Sequence, residues 1–261
     1  MPTDIAGTPA RFLDIDFDGG TYEQAVRELD RLAQQDSFSF VVTPNVDHAL
    51  MLHPKAPTPA TQLFRQAYAA AAMRLCDSRI LQRLAHLHGV TLDVVTGSDL
   101  TAYLFQNGHL AGRTVAIVGG DAAMVPELHE RYPDVRIVQH QPPMGVLQNP
   151  RAIDEIIAFI EQERAHYVLL AIGAPQSEIV AHKCLLAGNS AGVGLCIGAS
   201  IEFLLDRKRR APHWMQRLSL EWAFRLVSEP GRLWRRYLVT GPRIFVLATR
   251  WGKDRSSTTM T

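Results

Sequence analysis

Thr43-Pro44-Asn45-Val46-Asp47-His48 places a hydroxyl, a side-chain amide and the free N–H groups of a starting helix at one point. Such a donor set suits a phosphate or a nucleotide base. The same residues also make an ordinary helix cap, and the pattern alone leaves both uses open. Val118-Gly119-Gly120-Asp121 and Ile172-Gly173-Ala174-Pro175-Gln176 have the same form, an apolar run ending at glycine. Glycine there lets a ligand approach the backbone. Thr43, Asn45, Gly119, Gly120, Gly173 and Gln176 are therefore candidate substrate-binding residues. None of these stretches is a full GxGxxG or a P-loop, so no single one identifies a nucleotide.

Carboxylates supply the second kind of chemistry. Asp77 follows Leu75-Cys76 and precedes Ser78-Arg79, where it can cap a helix or face a cleft as a general base. Asp99, in Thr96-Gly97-Ser98-Asp99, falls in a first helical turn, where negative charge is stabilised, and reads as a capping residue. Asp14-Ile15-Asp16-Phe17-Asp18 contains two overlapping DxD triplets, a pattern that holds a divalent metal in many sugar transferases. It precedes a Gly-Gly-Thr turn rather than a site loop and reads as a solvated edge strand, so no metal site is assigned. His86 and His88 lack zinc spacing, and HExxH and GxSxG are absent.

These residues need elements to hold them. Apolar, β-branched runs recur at Phe38–Thr43, Met73–Cys76, Val115–Val118, Val135–Val138, Tyr167–Ile172 and Val193–Ile197, as buried parallel strands do. Helices are expected to begin near Pro44, Ser78, Asp121, Pro150, Pro175 and Ala199, with another over Tyr22–Gln35. The predicted fold is α/β, a Rossmann-like open, mostly parallel sheet, with ligands beyond the carboxyl ends of the strands.

The 261 residues carry a net charge of +1, which conceals an asymmetry. Up to Asp206 there are 14 Lys and Arg against 23 Asp and Glu, whereas from Arg207 onward there are 13 against 3. The chain therefore divides into a Rossmann-like catalytic domain, 1–206, and a basic helical C-terminal appendage, 207–261. Arg207-Lys208-Arg209-Arg210 opens the appendage, and Trp214, Trp222, Trp234, Tyr237 and Trp251 are interleaved with its arginines. Amphipathic helices are expected over Trp214–Val227, Arg232–Val239 and Arg243–Trp251. Arginine with tryptophan suits an anionic membrane surface, although some tryptophans should pack on the sheet. Cys76, Cys184 and Cys196 are an odd set without CxxC spacing, as in a reducing, cytoplasmic setting. No signal peptide or run of 18 apolar residues is present, so the expected location is cytoplasmic and peripheral.

In order and spacing the motifs resemble the WecG/TagA/CpsF glycosyltransferases from about Thr21 to Arg243. The resemblance rests on Thr43-Pro44-Asn45 with Asp47-His48, Cys76-Asp77-Ser78-Arg79, Thr96-Gly97-Ser98-Asp99-Leu100, Val118-Gly119-Gly120 and Pro142-Pro143-Met144-Gly145. It continues through Gly173-Ala174-Pro175-Gln176-Ser177-Glu178, Gly198-Ala199-Ser200-Ile201-Glu202-Phe203 and Arg209-Arg210-Ala211-Pro212-His213-Trp214. It implies an inverting transferase using a UDP-sugar donor and a polyprenyl-diphosphate-linked glycan acceptor at the inner face of the plasma membrane. No cofactor or essential metal is implied. Asp77 would be the base, and Thr43 and Asn45 would line the sugar-nucleotide pocket. The chain departs from the family pattern in reading Cys76-Asp77-Ser78 for P-D-G, in carrying Ser177 for Gln in the Gly173 motif, where Ser177 joins the substrate-binding candidates, and in having Val94-Val95 where an Arg commonly precedes T-G-S-D.

With no metal motif, the leaving diphosphate needs cationic side chains. Arg210 and Arg217 are assigned to it, because the basic appendage can fold over the mouth of the site. The competing reading is a non-enzymatic membrane- or nucleic-acid-binding module, which has no need of Asp77 or of the Thr43 and Asn45 strand end. The transferase reading involves no nucleic acid, and a homo-oligomer is compatible with it.

Overall fold

The computed structural model describes residues 8–258. Six strands form one all-parallel sheet: β3 (Ser39–Val42), β4 (Met73–Arg74), β5 (Thr114–Gly119), β6 (Arg136–His140), β7 (Tyr167–Ala171) and β8 (Val193–Cys196), in the order β4-β3-β8-β7-β5-β6. Each apolar run of the sequence is one of these strands. The inner strands β3, β5, β7 and β8 are apolar nearly throughout because both faces are covered, whereas the edge strands carry Arg74 in β4 and Arg136, Gln139 and His140 in β6. Phe40, Val42, Val118, Leu170 and Cys196 face one layer, and Val41, Ile117, Leu169 and Leu195 face the other.

Before the sheet lies a hairpin of β1 (Ala10–Phe12) and β2 (Ile15–Phe17). Its two-residue turn holds Leu13 and Asp14 at positive φ, the twist a tight hairpin requires. Asp14 and Asp16 are solvated, as expected of an edge. Asp18 departs from that expectation: it accepts from the Arg74 backbone N–H at 2.8 Å and pairs with the Arg74 guanidinium at 3.4 Å, tying the hairpin to the sheet.

Helix starts follow local chemistry. Pro150 opens its helix, Pro150–Glu163, at the first position as expected. Pro44 and Pro175 instead precede their helices, which begin at Val46 and Gln176. The helix expected at Asp121 starts at Met124, because the Asp121 carboxylate accepts from the Ala123 N–H at 3.0 Å and makes a turn there.

The segment after Asp206 is more broken than its pattern predicts. Ser219, at positive φ, separates His213–Arg217 from Glu221–Ser228, and Pro230–Trp234 runs into a π-helical stretch, Arg235–Thr240. The last helix, Arg243–Thr258, returns to the body. Ile244 and Ala248 are buried in the same core as Phe12 and Phe40, and Trp251 packs edge-on against Phe12 at 5.0 Å.

Candidate active site

The sheet has its switch point at β8. Chain leaving β3 and β7 turns into helices on one face, Val46–Leu52 and Gln176–Ala187, whereas chain leaving β8 turns into Ser200–Leu204 on the other. Diverging connections open a crevice at the carboxyl ends of such strands. A cleft of about 840 Å³ lies there, lined by Thr43, Asn45, Asp77, Gly120, Gly173, Ser177 and Arg210 among others.

Several expected ligand groups already have partners. The Thr43 hydroxyl donates to the Cys196 carbonyl at 3.0 Å, Ser177 to the Leu170 carbonyl at 3.2 Å, and Ser200 to the Ile197 carbonyl at 2.6 Å. These hydroxyls satisfy strand-end carbonyls and keep only lone pairs for a ligand. Asn45 is the cap of its helix, its oxygen accepting from the Asp47 and His48 N–H groups at 3.0 and 3.3 Å. Its amide nitrogen is left for the cleft.

The glycines divide in the same way. A Cβ on Gly119 would meet the Ala171 carbonyl oxygen at 3.0 Å, so this glycine serves strand packing, and it is not in the cleft lining. Gly120 and Gly173 line the cleft at positive φ, and a Cβ on Gly173 would meet nothing within 4 Å. Gln176 lies outside the lining, its amide donating to the Ile172 carbonyl at 3.0 Å.

Asp77 is released from the capping role by its neighbour. Ser78 caps Arg79–Leu87 by accepting from the Leu81 N–H at 3.2 Å. The Asp77 backbone N–H donates to the Pro44 carbonyl at 2.9 Å, which fixes the residue beside the Thr43 strand end. Burial pushes its carboxyl up to about 7, against the opposing pull of the Arg225 and Arg210 guanidiniums. Asp99 sits in its first helical turn as expected, receiving the Thr96 hydroxyl at 2.7 Å, and it is also the ion-pair partner of Arg210.

Arginines crowd the mouth. Arg210 and Arg225 both lie over the Phe203 ring, at 5.9 and 5.1 Å. Arg236 pairs with Asp47 at 2.6 Å and faces the cleft. Arg217 is exposed and is not in the lining; its carbonyl accepts from Arg83 at 2.7 Å. Arg225, Arg236, His48 and Glu178 are cleft residues that sequence reasoning did not select, although His48 and Glu178 stand inside quoted motifs. Their convergence on the cleft is a tertiary property with no local signature.

An open parallel sheet with a polar cleft at its switch point, carboxyls within and guanidiniums at the mouth, defines a Rossmann-like α/β protein. Residues 10–258 match the family described as the glycosyl transferase WecG/TagA/CpsF family. The chain belongs to that family, whose members are glycosyltransferases of cell-surface polysaccharide synthesis.

Proposed function

We propose that the protein is an inverting glycosyltransferase that moves a sugar from a UDP-sugar onto a polyprenyl-diphosphate-linked glycan at the inner face of the plasma membrane. The observation that carries the reading is Asp77: a carboxyl uncommitted to capping, lining the cleft, held near neutrality and flanked by Arg210 and Arg225. In the reaction, Asp77 takes the proton of an acceptor hydroxyl as that oxygen attacks the anomeric carbon. The bond to UDP breaks on the opposite face, and the electron pair leaves with the diphosphate. A positioned base of this kind contributes about 10² to 10⁴ in rate. Arg210 and Arg225 are suited to the developing negative charge, whereas Arg217, exposed beside Arg83, would have to move to join them.

No helix among the described residues is long and apolar enough to cross a membrane. Peripheral attachment is supported by the outer face of the appendage, where Trp214, Trp234, Leu238, Val239, Phe245 and Val246 are exposed among arginines. A purely non-enzymatic module would give no reason for Asp77 to line a cleft.

The test is incubation of the protein with a panel of UDP-sugars and polyprenyl-diphosphate sugars, in EDTA, followed by product mass measurement. A product one sugar heavier is expected. Transfer that appears only after Mn²⁺ or Mg²⁺ is restored would overturn the metal-free assignment, and absence of transfer from every donor would overturn the function.

A further inference from the structure

Glu178 is the third residue of the helix Gln176–Ala187. A glutamate in a first helical turn ordinarily points to water or toward the helix N-terminus. This one turns inward: the residue is 1 % exposed, it lines the cleft, and its Oε2 has no hydrogen-bond partner. Its other oxygen lies 3.9 Å from His48 Nδ1. That nitrogen is already occupied by Tyr68, whose hydroxyl sits 2.6 Å away. Burial and the Arg236 charge depress the imidazole to about 3, so it is neutral and offers Glu178 no counter-charge. The Tyr68 bond engages that nitrogen whichever of the two atoms donates.

A buried, unpartnered carboxyl costs stability and calls for an explanation. The fold supplies none for Oε2: among the described residues Glu178 pairs with no charged cation, and the hydrogen bond that favours its charged form comes from its own backbone N–H. The position does supply one. The Thr43–His48 stretch touches both residues, the Asp77 N–H at the Pro44 carbonyl and Glu178 at His48, and both line the cleft, so the two carboxyls flank one region of it. If Asp77 is the base, that region holds the transferred sugar. The arginines that suit phosphates stand at the mouth, and a carboxyl beside a diphosphate would repel it. We infer that Glu178 is a specificity-determining residue, its free Oε2 hydrogen-bonding a hydroxyl of the donor's sugar ring, which rests on the donor reading proposed above. A site built around such a bond rejects sugars lacking the hydroxyl, because the carboxyl is then left unpaired.

The test compares wild type, Glu178→Gln and Glu178→Leu for binding of UDP, UDP-glucose, UDP-N-acetylglucosamine, their epimers and their monodeoxy forms, with melting temperatures alongside. Glu178→Leu should melt no lower than wild type and bind UDP unchanged. It should bind the preferred UDP-sugar at least tenfold more weakly, with Glu178→Gln in between. Against one monodeoxy form the penalty should vanish, closing a double-mutant cycle. Equal loss of UDP affinity would assign Glu178 to the nucleotide instead. A melting temperature several degrees lower with donor affinities intact would make it a core residue. The same penalty across every deoxy form would also overturn the inference. Wild type that binds no UDP-sugar at all would sink the donor reading itself, and the Glu178 inference with it.

Discussion

Asp77 is the residue on which the proposed transfer depends most. Ser78 caps the following helix, so the carboxylate is not needed there, and burial holds it near 7. Asp77→Asn keeps the shape and removes the basicity. Turnover should fall by about 10² to 10⁴ while UDP-sugar affinity, read by calorimetry, stays within a few-fold. Near-normal turnover would remove Asp77 from the base role. The cations can be ranked in the same way. Arg225 lines the cleft and acts on Asp77, whereas Arg217 is exposed beside Arg83. Arg225→Ala should lower kcat at least tenfold, and Arg217→Ala should lower it less. The reverse order would mean that the His213–Arg217 helix swings inward during turnover.

At the scale of elements, the final helix shows how one pattern serves two surfaces. Ile244, Ala248 and Trp251 recur at helical spacing and pack inward, while Phe245, Val246 and Arg250 face out. The tryptophans divide likewise, Trp251 onto Phe12 and Trp214 and Trp234 toward solvent. Changing Trp234, Leu238 and Val239 together to Ser should release the protein from anionic vesicles in a sedimentation assay. Turnover on a short-chain, water-soluble acceptor should persist, because none of the three lines the cleft. Unchanged sedimentation would show that this face is not the membrane contact.

Across the whole molecule, the acidic body and the basic segment are joined by the charges that distinguish them. Arg207 bridges Asp121 and Glu127, Lys208 pairs with Glu202, Arg210 with Asp99 and Arg236 with Asp47. Part of the excess positive charge is therefore spent on holding the segment across the cleft rather than left for lipid. Buried groups also make stability depend on pH, with mixed signs. The Asp77 and Glu178 carboxyls, both raised to about 7, are stabilising in their protonated form below their unfolded values near 4. That contribution is lost as pH rises through 7. His48, depressed to about 3, acts in the opposite direction, so differences between variants are the clean readout. The melting temperature of Asp77→Asn relative to wild type should rise from pH 4 to pH 7 and then level off. The full change corresponds to at most about 4 kcal/mol, and a difference that does not vary with pH would contradict the raised pKa.

The sequence by itself determined the sheet and where its ligands go. Runs such as Tyr167–Ile172 are apolar at every position, as suits a strand covered on both faces, and glycine or a capping residue ends most of these runs at the carboxyl side where a cleft opens. Asp77, Thr43, Asn45, Gly120 and Gly173 were legible as cleft candidates for that reason, whereas Ser177 came from the family resemblance and Arg210 from the basic segment that can cover the mouth. What the tertiary structure alone decided is which polar groups are free. Thr43 and Ser177 gave their protons to carbonyls of strands distant or adjacent in sequence, and Gly119 proved to be shaped by β7. Arg225 and Arg236 reached the mouth from helices whose placement depends on breaks at Ser219 and Pro230. Glu178 was buried without a partner by the same packing. Local pattern reports which face of an element is apolar, whereas hydrogen-bond satisfaction and desolvation depend on neighbours far along the chain, and those exist only once it has folded.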